Sequence, residues 1–320
     1  MAELAIIIVN YNVGDLLRAC LRSLIVSLTD ASLAAEIIVV DNASTDHSVS
    51  MIEAEFPQVT LLKSTRNVGF AAGNNLALRH LGFDQPDVLT PNAALLLNPD
   101  TVVQSTAIAE LLGVLERWSE VVVVGPQLRY GDDSLQSSRR RFPTRATLFW
   151  ESTLLEQWWP RNPWAHRYHL DNLPADQPQT VDWLVGAALL VRGSAIQRAG
   201  LLDEGFFMYS EELEWQQRIR RTTGSAIMYW PQAIITHYEG KSSEQKLGQR
   251  LINFNRSKLR YTRLQFGRRS AWLLARFLWL TFSLQLGSEA AKWLLRHKRP
   301  LRAARIKQYL LVLRQLNDAA

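Results

Sequence analysis

The stretch ELAIIIVNYN, residues 3–12, sets a short run of apolar, largely β-branched residues between a glutamate and a polar turn. The run is too short for a typical helix and too uniformly apolar for a half-exposed strand. It therefore reads as a strand buried on both faces, the kind found inside parallel sheets. Residues 13–28, VGDLLRACLRSLIVSL, follow with helical periodicity. The alternation then recurs: strand EIIVVDN (36–42), a helix over 44–56, strand VTLLK (59–63), a helix over 71–81, strand ALLLN (94–98), a helix over 104–118 and strand VVVVG (121–125). Strands separated by single helices predict an α/β fold with a doubly wound, mostly parallel sheet. Such sheets bind ligands at the carboxyl ends of their strands, where this chain places Asn10, Asp41, Asn42 and Asn98–Asp100.

Beyond residue 126 the pattern changes. From 127 to 179 Pro, Trp and Arg are scattered among polar residues, which reads as loops and short elements lying over the sheet. TVDWLVGAALLVRG (180–193) restores a strand, a helix is expected over 210–221, and SAIMYW (225–230) is a further strand.

The 320 residues, 47% hydrophobic and 21% charged, describe a globular chain that buries a sizeable core. A single cysteine, Cys20, excludes an internal disulfide, and the N-terminal apolar run lacks a basic leader, so the expected compartment is cytoplasmic. The net charge of +6 conceals a division. From Arg250 onward there are 16 basic residues against 2 acidic ones, leaving residues 1–249 net negative. The sequence is accordingly read as a domain over 1–249 followed by a basic, Trp-containing helical extension over 250–320 that meets an anionic membrane surface. The tail's aromatics are mostly Trp within apolar runs rather than rings interleaved with charge, which argues against nucleic acid. Within it, residues 270–287 raise the question of a membrane span, against which Arg276, Thr281, Ser283 and Gln285 weigh. Residues Ile306, Tyr309, Leu310, Leu313 and Leu316 then recur at helical spacing opposite Arg302, Arg305, Lys307 and Arg314.

Several chemistries are excluded. The turn after the first strand reads NYNVGDL rather than a glycine-rich dinucleotide loop, and there is no P-loop, H-E-x-x-H or C-x-x-C. What remains is a set of polar residues at successive strand ends. Asp41 suits a base or ribose, although with Asn42 and Ser44 it equally suits a turn and helix cap. STRNVGFAAGNN (64–75) combines Arg66 with glycines and asparagines fit for close approach of a diphosphate. Asp100, just past a buried strand, suits a divalent cation. FFMYSEELEW (206–215) crowds Glu211, Glu212 and Glu214 behind Ser210, either as an N-cap with acids favouring the helix dipole or as carboxylates delivered to a site.

Seven stretches in order, IIIVNYN, VVDNASTD, NVGFAAGNN, LLLNPDT, VDWLVGAALLVR, GLLDEGFFMYSEELEW and ITHYEGKSS, resemble the family 2 glycosyltransferases of the GT-A (nucleotide-diphospho-sugar transferase) fold. The resemblance is nearest to the rhamnosyltransferase-like branch that builds bacterial surface polysaccharide. It implies an inverting, Mg²⁺- or Mn²⁺-dependent transferase that moves a sugar, rhamnose from dTDP-rhamnose as the leading expectation, from a nucleotide-diphospho-sugar to a glycan or undecaprenyl-linked acceptor. The setting it implies is the inner face of the plasma membrane, with the protein peripheral. By position, Asn10, Tyr11, Asp41 and Asn42 would line the nucleoside pocket, with Arg66, Gly69 and Asn74 toward the diphosphate. Asp100 would serve the metal, His237 the metal or the diphosphate unless it is a satisfied structural histidine, and Trp183, Gly186, Ala187 and Glu211 the sugar and acceptor. Glu212 would be the base that deprotonates the acceptor hydroxyl. Glu214, four residues before Arg218, suits a helix pair instead. The family usually carries Asp where this chain has Glu212, one methylene longer. That departure leaves a second expectation, a silent nucleotide-sugar- or glycan-binding relative in an assembly complex.

Overall fold

The computed structural model describes residues 3–86, 88–153, 159–160, 162–238 and 247–318. The twelve strands among these residues are β1 (Leu4–Asn10), β2 (Ala35–Asp41), β3 (Thr60–Lys63), β4 (Ala93–Leu97), β5 (Thr101–Val103), β6 (Val121–Arg129), β7 (Leu135–Gln136), β8 (Arg139–Arg140), β9 (Gln179–Val181), β10 (Trp183–Leu184), β11 (Ala188–Arg192) and β12 (Ala226–His237). The helices are α1 (Gly14–Asp30), α2 (Ser48–Glu55), α3 (Phe70–His80), α4 (Ala107–Arg117), α5 (Arg145–Trp150), α6 (Pro163–His169), α7 (Gly193–Ala199), α8 (Glu211–Thr223), α9 (Leu247–Leu294) and α10 (Arg299–Asp318). The chain forms two compact units. One joins Met1–Phe142, His169–Phe207 and Glu211–Ser242; the other joins Pro143–Tyr168, Met208–Ser210 and Ser243–Ala320.

In the first unit one sheet runs in the order β3-β2-β1-β4-β11-β6-β12-β5, with β7 beside β6 and β9 beside β12. The strands β3, β2, β1 and β4 are parallel, as the βα alternation requires, and so are β6 and β12. Between these groups β11 enters antiparallel to both β4 and β6. Alternation along β1 sends Ile6 and Ile8 toward Leu17, Leu21 and Leu24 of α1, and Ile7 and Val9 into the opposite core with Leu78 of α3 and Trp215 and Ile219 of α8. Both faces are thus covered, and the residues that end β1, β2 and β4 emerge along one edge.

Two sequence expectations change here. Residues 180–193 do not form one strand: β9 pairs with β12, β10 with β8, and only β11 joins the sheet centre. Gln216 of α8 holds the intervening segment, accepting from Leu184 N at 2.9 Å and donating to Leu184 O at 2.8 Å. Ser210 does precede α8, but with φ of 64° instead of the extended backbone of an ordinary N-cap, and Tyr209 before it has φ of 73°. Two consecutive left-handed non-glycine residues cost roughly 1–2 kcal/mol each. The chain spends that strain directly ahead of the paired glutamates.

In the second unit α9 is two helices joined at Gly267, whose φ is 84°. Its later half packs with α10 through Arg302, which is buried and reaches Glu289 at 2.7 Å. Two residues depart from the amphipathic reading of the last helix, Arg302, which turns inward to a buried carboxylate, and Leu310, which is exposed; Leu316 is buried and Arg305, Lys307 and Arg314 are exposed as that reading expects. Among the described residues no helix is long and apolar enough to cross a membrane.

Candidate active site

The ends of β1 and β2 are locked together. Asn10, fully buried, donates through Nδ2 to Asp41 Oδ1 (3.0 Å) and to Ser44 Oγ (3.1 Å), while Asp41 Oδ2 accepts from Ser44 N (3.0 Å). Asn42 donates to Asn67 Oδ1 and Gly69 O, each at 3.1 Å, and accepts from Val68 N at 2.9 Å. Asn42 thus braces the loop that carries Gly69. That loop needs its glycine: φ is 89°, and a Cβ there would overlap the carbonyl oxygen of Phe207, which accepts from Phe70 N at 2.7 Å. The aromatic run ahead of the glutamates is split, with Phe206 buried in the core and Phe207 exposed beside this turn. Asn74 sits buried in α3 and donates back to Phe70 O. Tyr11 and Arg66 are exposed, and Arg66 has no side-chain partner among the described residues.

A second cluster forms where β4 ends. Asp100 and His237 are both buried, with Asp100 Oδ1 3.3 Å from His237 Nε2. On its other side His237 Nδ1 lies 3.0 Å from Gln136 Oε1, an atom that only accepts, so Nδ1 carries the proton. In the neutral ring Nε2 then presents a lone pair toward the Asp100 carboxylate. Asn98 stands beside them, Nδ2 at 3.4 Å from His237 Nε2, and its Oδ1 is buried without a partner. Two lone-pair donors facing each other, with an orphaned amide oxygen at hand, fit a divalent cation. No cluster of three His, Cys, Asp or Glu side chains occurs among the described residues, so phosphate oxygens and water would complete such a shell.

The third cluster is the glutamate pair at the start of α8. Glu211 is buried, Glu212 is partly open, and each leaves its Oε2 buried and unpartnered. Burial, then the neighbouring Glu212 charge, holds the Glu211 carboxyl well above the usual carboxylate range. Burial raises Glu212 too, but the peptide N–H groups of Glu212, Gly186 and Leu213 and the charge of Arg140 oppose it. Environments that push two adjacent carboxyls apart in this way divide acid from base. Glu214 pairs with Arg218 at 3.0 Å, as its spacing predicts.

Residues 186 and 187 join the second and third clusters. Gly186 packs so closely on Glu212 that a Cβ would stand 3.2 Å from its Cβ and Cγ. Ala187, next in the chain, accepts from Asn98 N at 2.9 Å through its carbonyl. Trp183 is buried and donates through Nε1 to Arg141 O at 2.8 Å, fixing the segment that leads into Gly186. The structure therefore gathers Glu212, Gly186, Ala187, Asp100 and His237, and separately Asn10, Asp41, Asn42 and Gly69. The matching stretch that begins at Ile235 extends past Tyr238 outside the described residues.

Three residues of this framework were not singled out from the sequence. Gln136 lies in an irregular segment, 101 positions from the histidine it orients, and no local signal marks it. Asn75 brackets the 202–204 turn, donating to Leu202 O and Glu204 Oε1 and accepting from Leu202 N. Gln216 had a signal, since it stands one helical turn after Glu212 and donates to Glu212 O at 3.0 Å.

Comparison with known proteins accords with this geometry. The description of Glycosyl transferase family 2 matches residues 5–178. The N-acetylglucosaminyl-diphospho-decaprenol L-rhamnosyltransferase of Mycobacterium tuberculosis is 31% identical over 296 residues, covering 89% of this chain and 91% of that protein. The low-salt glycan biosynthesis hexosyltransferase Agl10 of Haloferax volcanii is 26% identical, over 68% of this chain and 62% of its own length. Among solved structures, the mannosyltransferase PcManGT of Pyrobaculum calidifontis, in complex with GDP-Man and Mn²⁺, matches at a TM-score of 0.53 and 13% identity, over 99% of this chain and 87% of that one. GalNAc-T7 with UDP, GalNAc and Mn²⁺ matches at a TM-score of 0.54 and 15% identity, over 74% of this chain and 43% of that one. At such identities the solved structures show the fold, which is GT-A. The protein belongs to glycosyl transferase family 2 and is a glycosyltransferase.

Proposed function

We propose that the protein transfers L-rhamnose, with inversion, from a nucleoside-diphosphate donor, dTDP-rhamnose, to a hydroxyl of an N-acetylglucosaminyl-diphospho-polyprenol at a membrane surface. The observation that carries this reading is Glu212 Oε2, buried without a partner on a side chain packed against Gly186, with Ala187 holding the loop of Asn98 and Asp100. The acceptor named for the mycobacterial relative, which aligns over 89% of this chain, supports the lipid-linked substrate.

In the reaction the acceptor oxygen bonds to the anomeric carbon while the bond from that carbon to the phosphate oxygen breaks. The electron pair leaves on the nucleoside diphosphate, and the acceptor proton passes to Glu212 Oε2. Burial brings Glu212 closer to neutrality, which suits a general base, while the peptide N–H groups and Arg140 keep it the ionised member of the pair. Glu211, protonated, donates a hydrogen bond to a sugar hydroxyl. Asn10, Asp41 and the Gly69 loop form the nucleoside and diphosphate wall, with Tyr11 and Arg66 exposed beside it. Asp100, His237 and the Asn98 amide oxygen would hold Mg²⁺ or Mn²⁺, which when bound neutralises the departing diphosphate. The basic C-terminal helices, with exposed Trp272, Trp279 and Leu280, suit the cytoplasmic leaflet.

The test is transfer from dTDP-rhamnose to N-acetylglucosaminyl-diphospho-undecaprenol with Mn²⁺, comparing Glu212→Asp with Glu212→Gln. A working base loses on the order of 10²–10⁴-fold as Gln and much less as Asp. Absence of transfer by the wild type sinks the substrate assignment, and equal rates in the two variants sink the role of Glu212.

A further inference from the structure

The second unit contains a groove of about 480 Å³ between α5 and the helices on either side of the Gly267 kink. Its walls include Leu148, Phe149, Leu273, Leu274 and Phe277, with the rings of Phe149 and Phe277 4.2 Å apart. Two polar residues in the lining, Thr262 and Ser270, turn their hydroxyls back onto their own helix. Thr262 donates to Lys258 O at 2.7 Å and Ser270 to Phe266 O at 2.9 Å, so their hydroxyls are already engaged. The remaining polar side chain is Arg145, which is exposed, lies over the Phe266 ring with Cζ 5.5 Å from its centroid, and has no carboxylate partner among the described residues.

An apolar groove with satisfied hydroxyls and one uncompensated cation is the complement of a hydrocarbon chain ending in an anionic head. Its volume lies within the range of small-molecule sites, about 300–1,000 Å³. The exposure of Phe149 and Leu273, 46% and 62%, leaves large apolar surface open along it. We infer that this groove binds a polyprenyl chain, with Arg145 meeting the phosphate at its head. The inference rests on the lipid-linked acceptor proposed above and adds a site for the lipid. Two features favour this occupant. The groove offers a guanidinium, which pairs with phosphate oxygens better than a point charge does, and the segment from Arg250 onward carries 16 basic residues against 2 acidic. A branched isoprenoid packs on leucine and phenylalanine side chains without asking any buried polar group to give up a partner.

Two substitutions at exposed wall positions probe the groove without emptying the core: Ala146→Trp fills it and Leu273→Glu charges it. With N-acetylglucosaminyl-diphospho-undecaprenol both variants are expected to raise the acceptor KM at least tenfold. With the same head group on a methyl aglycone, KM, kcat and donor KM stay at wild-type values. Equal effects on both acceptors, or on neither, overturn the inference. A turnover-independent arm separates it from the functional reading: a benzophenone-bearing undecaprenyl phosphate is photolysed with the full-length wild-type chain and the labelled peptides are mapped. Label on residues 145–149 or 262–277, displaced by undecaprenyl phosphate but not by phosphatidylglycerol vesicles, supports the groove even where no rhamnose is transferred. Label elsewhere, or displacement by bulk lipid, rejects it.

Discussion

Gly186→Ala tests the placement of the proposed base without touching the base itself. Gly186 has no left-handed φ, so alanine meets no left-handed strain, and the three atoms nearest the added methyl all belong to the side chain of Glu212. A Cβ would stand 3.2 Å from Glu212 Cβ and Cγ and 3.5 Å from Cδ, where ordinary contacts begin at 3.4 Å. The carboxylate must therefore move by a few tenths of an ångström, enough to pull Oε2 off the line of proton transfer. Misplacements of 1 Å can cost about 100-fold, so this smaller one is expected to lower kcat about tenfold, on the order of 1.4 kcal/mol in the barrier. Stability should stay within about 1 kcal/mol of wild type, since the lost chain entropy of glycine offsets the crowding. Release of nucleoside diphosphate, measured over donor and acceptor concentrations, gives kcat and KM, and urea unfolding gives stability. The same change in a Glu212→Gln background should cost nothing further, because the group it displaces no longer accepts a proton. Wild-type kcat in the folded single variant, or an equal tenfold loss in both backgrounds, refutes the reasoning.

Three other outcomes are expected. Gln136→Leu frees His237 Nδ1 from its acceptor and lets the proton move to Nε2, so Mn²⁺ affinity, measured by electron paramagnetic resonance on the enzyme without substrate, should fall about 10–100-fold. An unchanged affinity would mean that Gln136 does not set the ring's tautomer. Gly69→Ala should destabilise the protein by about 2–4 kcal/mol in chemical denaturation, combining left-handed strain with loss of the bond from Phe70 N to Phe207 O; a cost under about 1 kcal/mol would deny the close approach. Because the Glu211 carboxyl titrates well above its ordinary 4.5, the native state holds a proton that the unfolded chain releases, and stability falls as pH rises from 4.5 through the raised value. Glu211→Gln should flatten that slope and add about 1–3 kcal/mol at pH 7, read from unfolding curves between pH 4 and 8; a loss of stability at pH 7 would contradict the assignment.

Much of the first unit was legible in order along the chain. Strands such as LAIIIVN and EIIVVD announce themselves through uninterrupted apolar runs, and the polar residues that end them fall where an α/β sheet binds ligands. Glu214 with Arg218 was equally readable, because neighbours one helical turn apart are fixed by the helix itself. The break within residues 180–193 was not, since its cause is Gln216 on another element taking both backbone groups of Leu184.

The second unit was less legible for the same kind of reason. Charge composition marked the chain after Arg250, but nothing local shows that residues 143–168 pack with it, and an arginine on a periodic helix reads as solvated until a buried Glu289 accepts it. The sequence by itself determined which segments become strands and helices and which polar residues stand at their ends, because periodicity and turn chemistry act over a few residues. Only the tertiary structure decided which of those residues meet. It inserted β11 antiparallel between two parallel groups, set Gly186 against Glu212, and brought Gln136 to a histidine 101 positions away, since such pairings follow from burying two sheet faces at once.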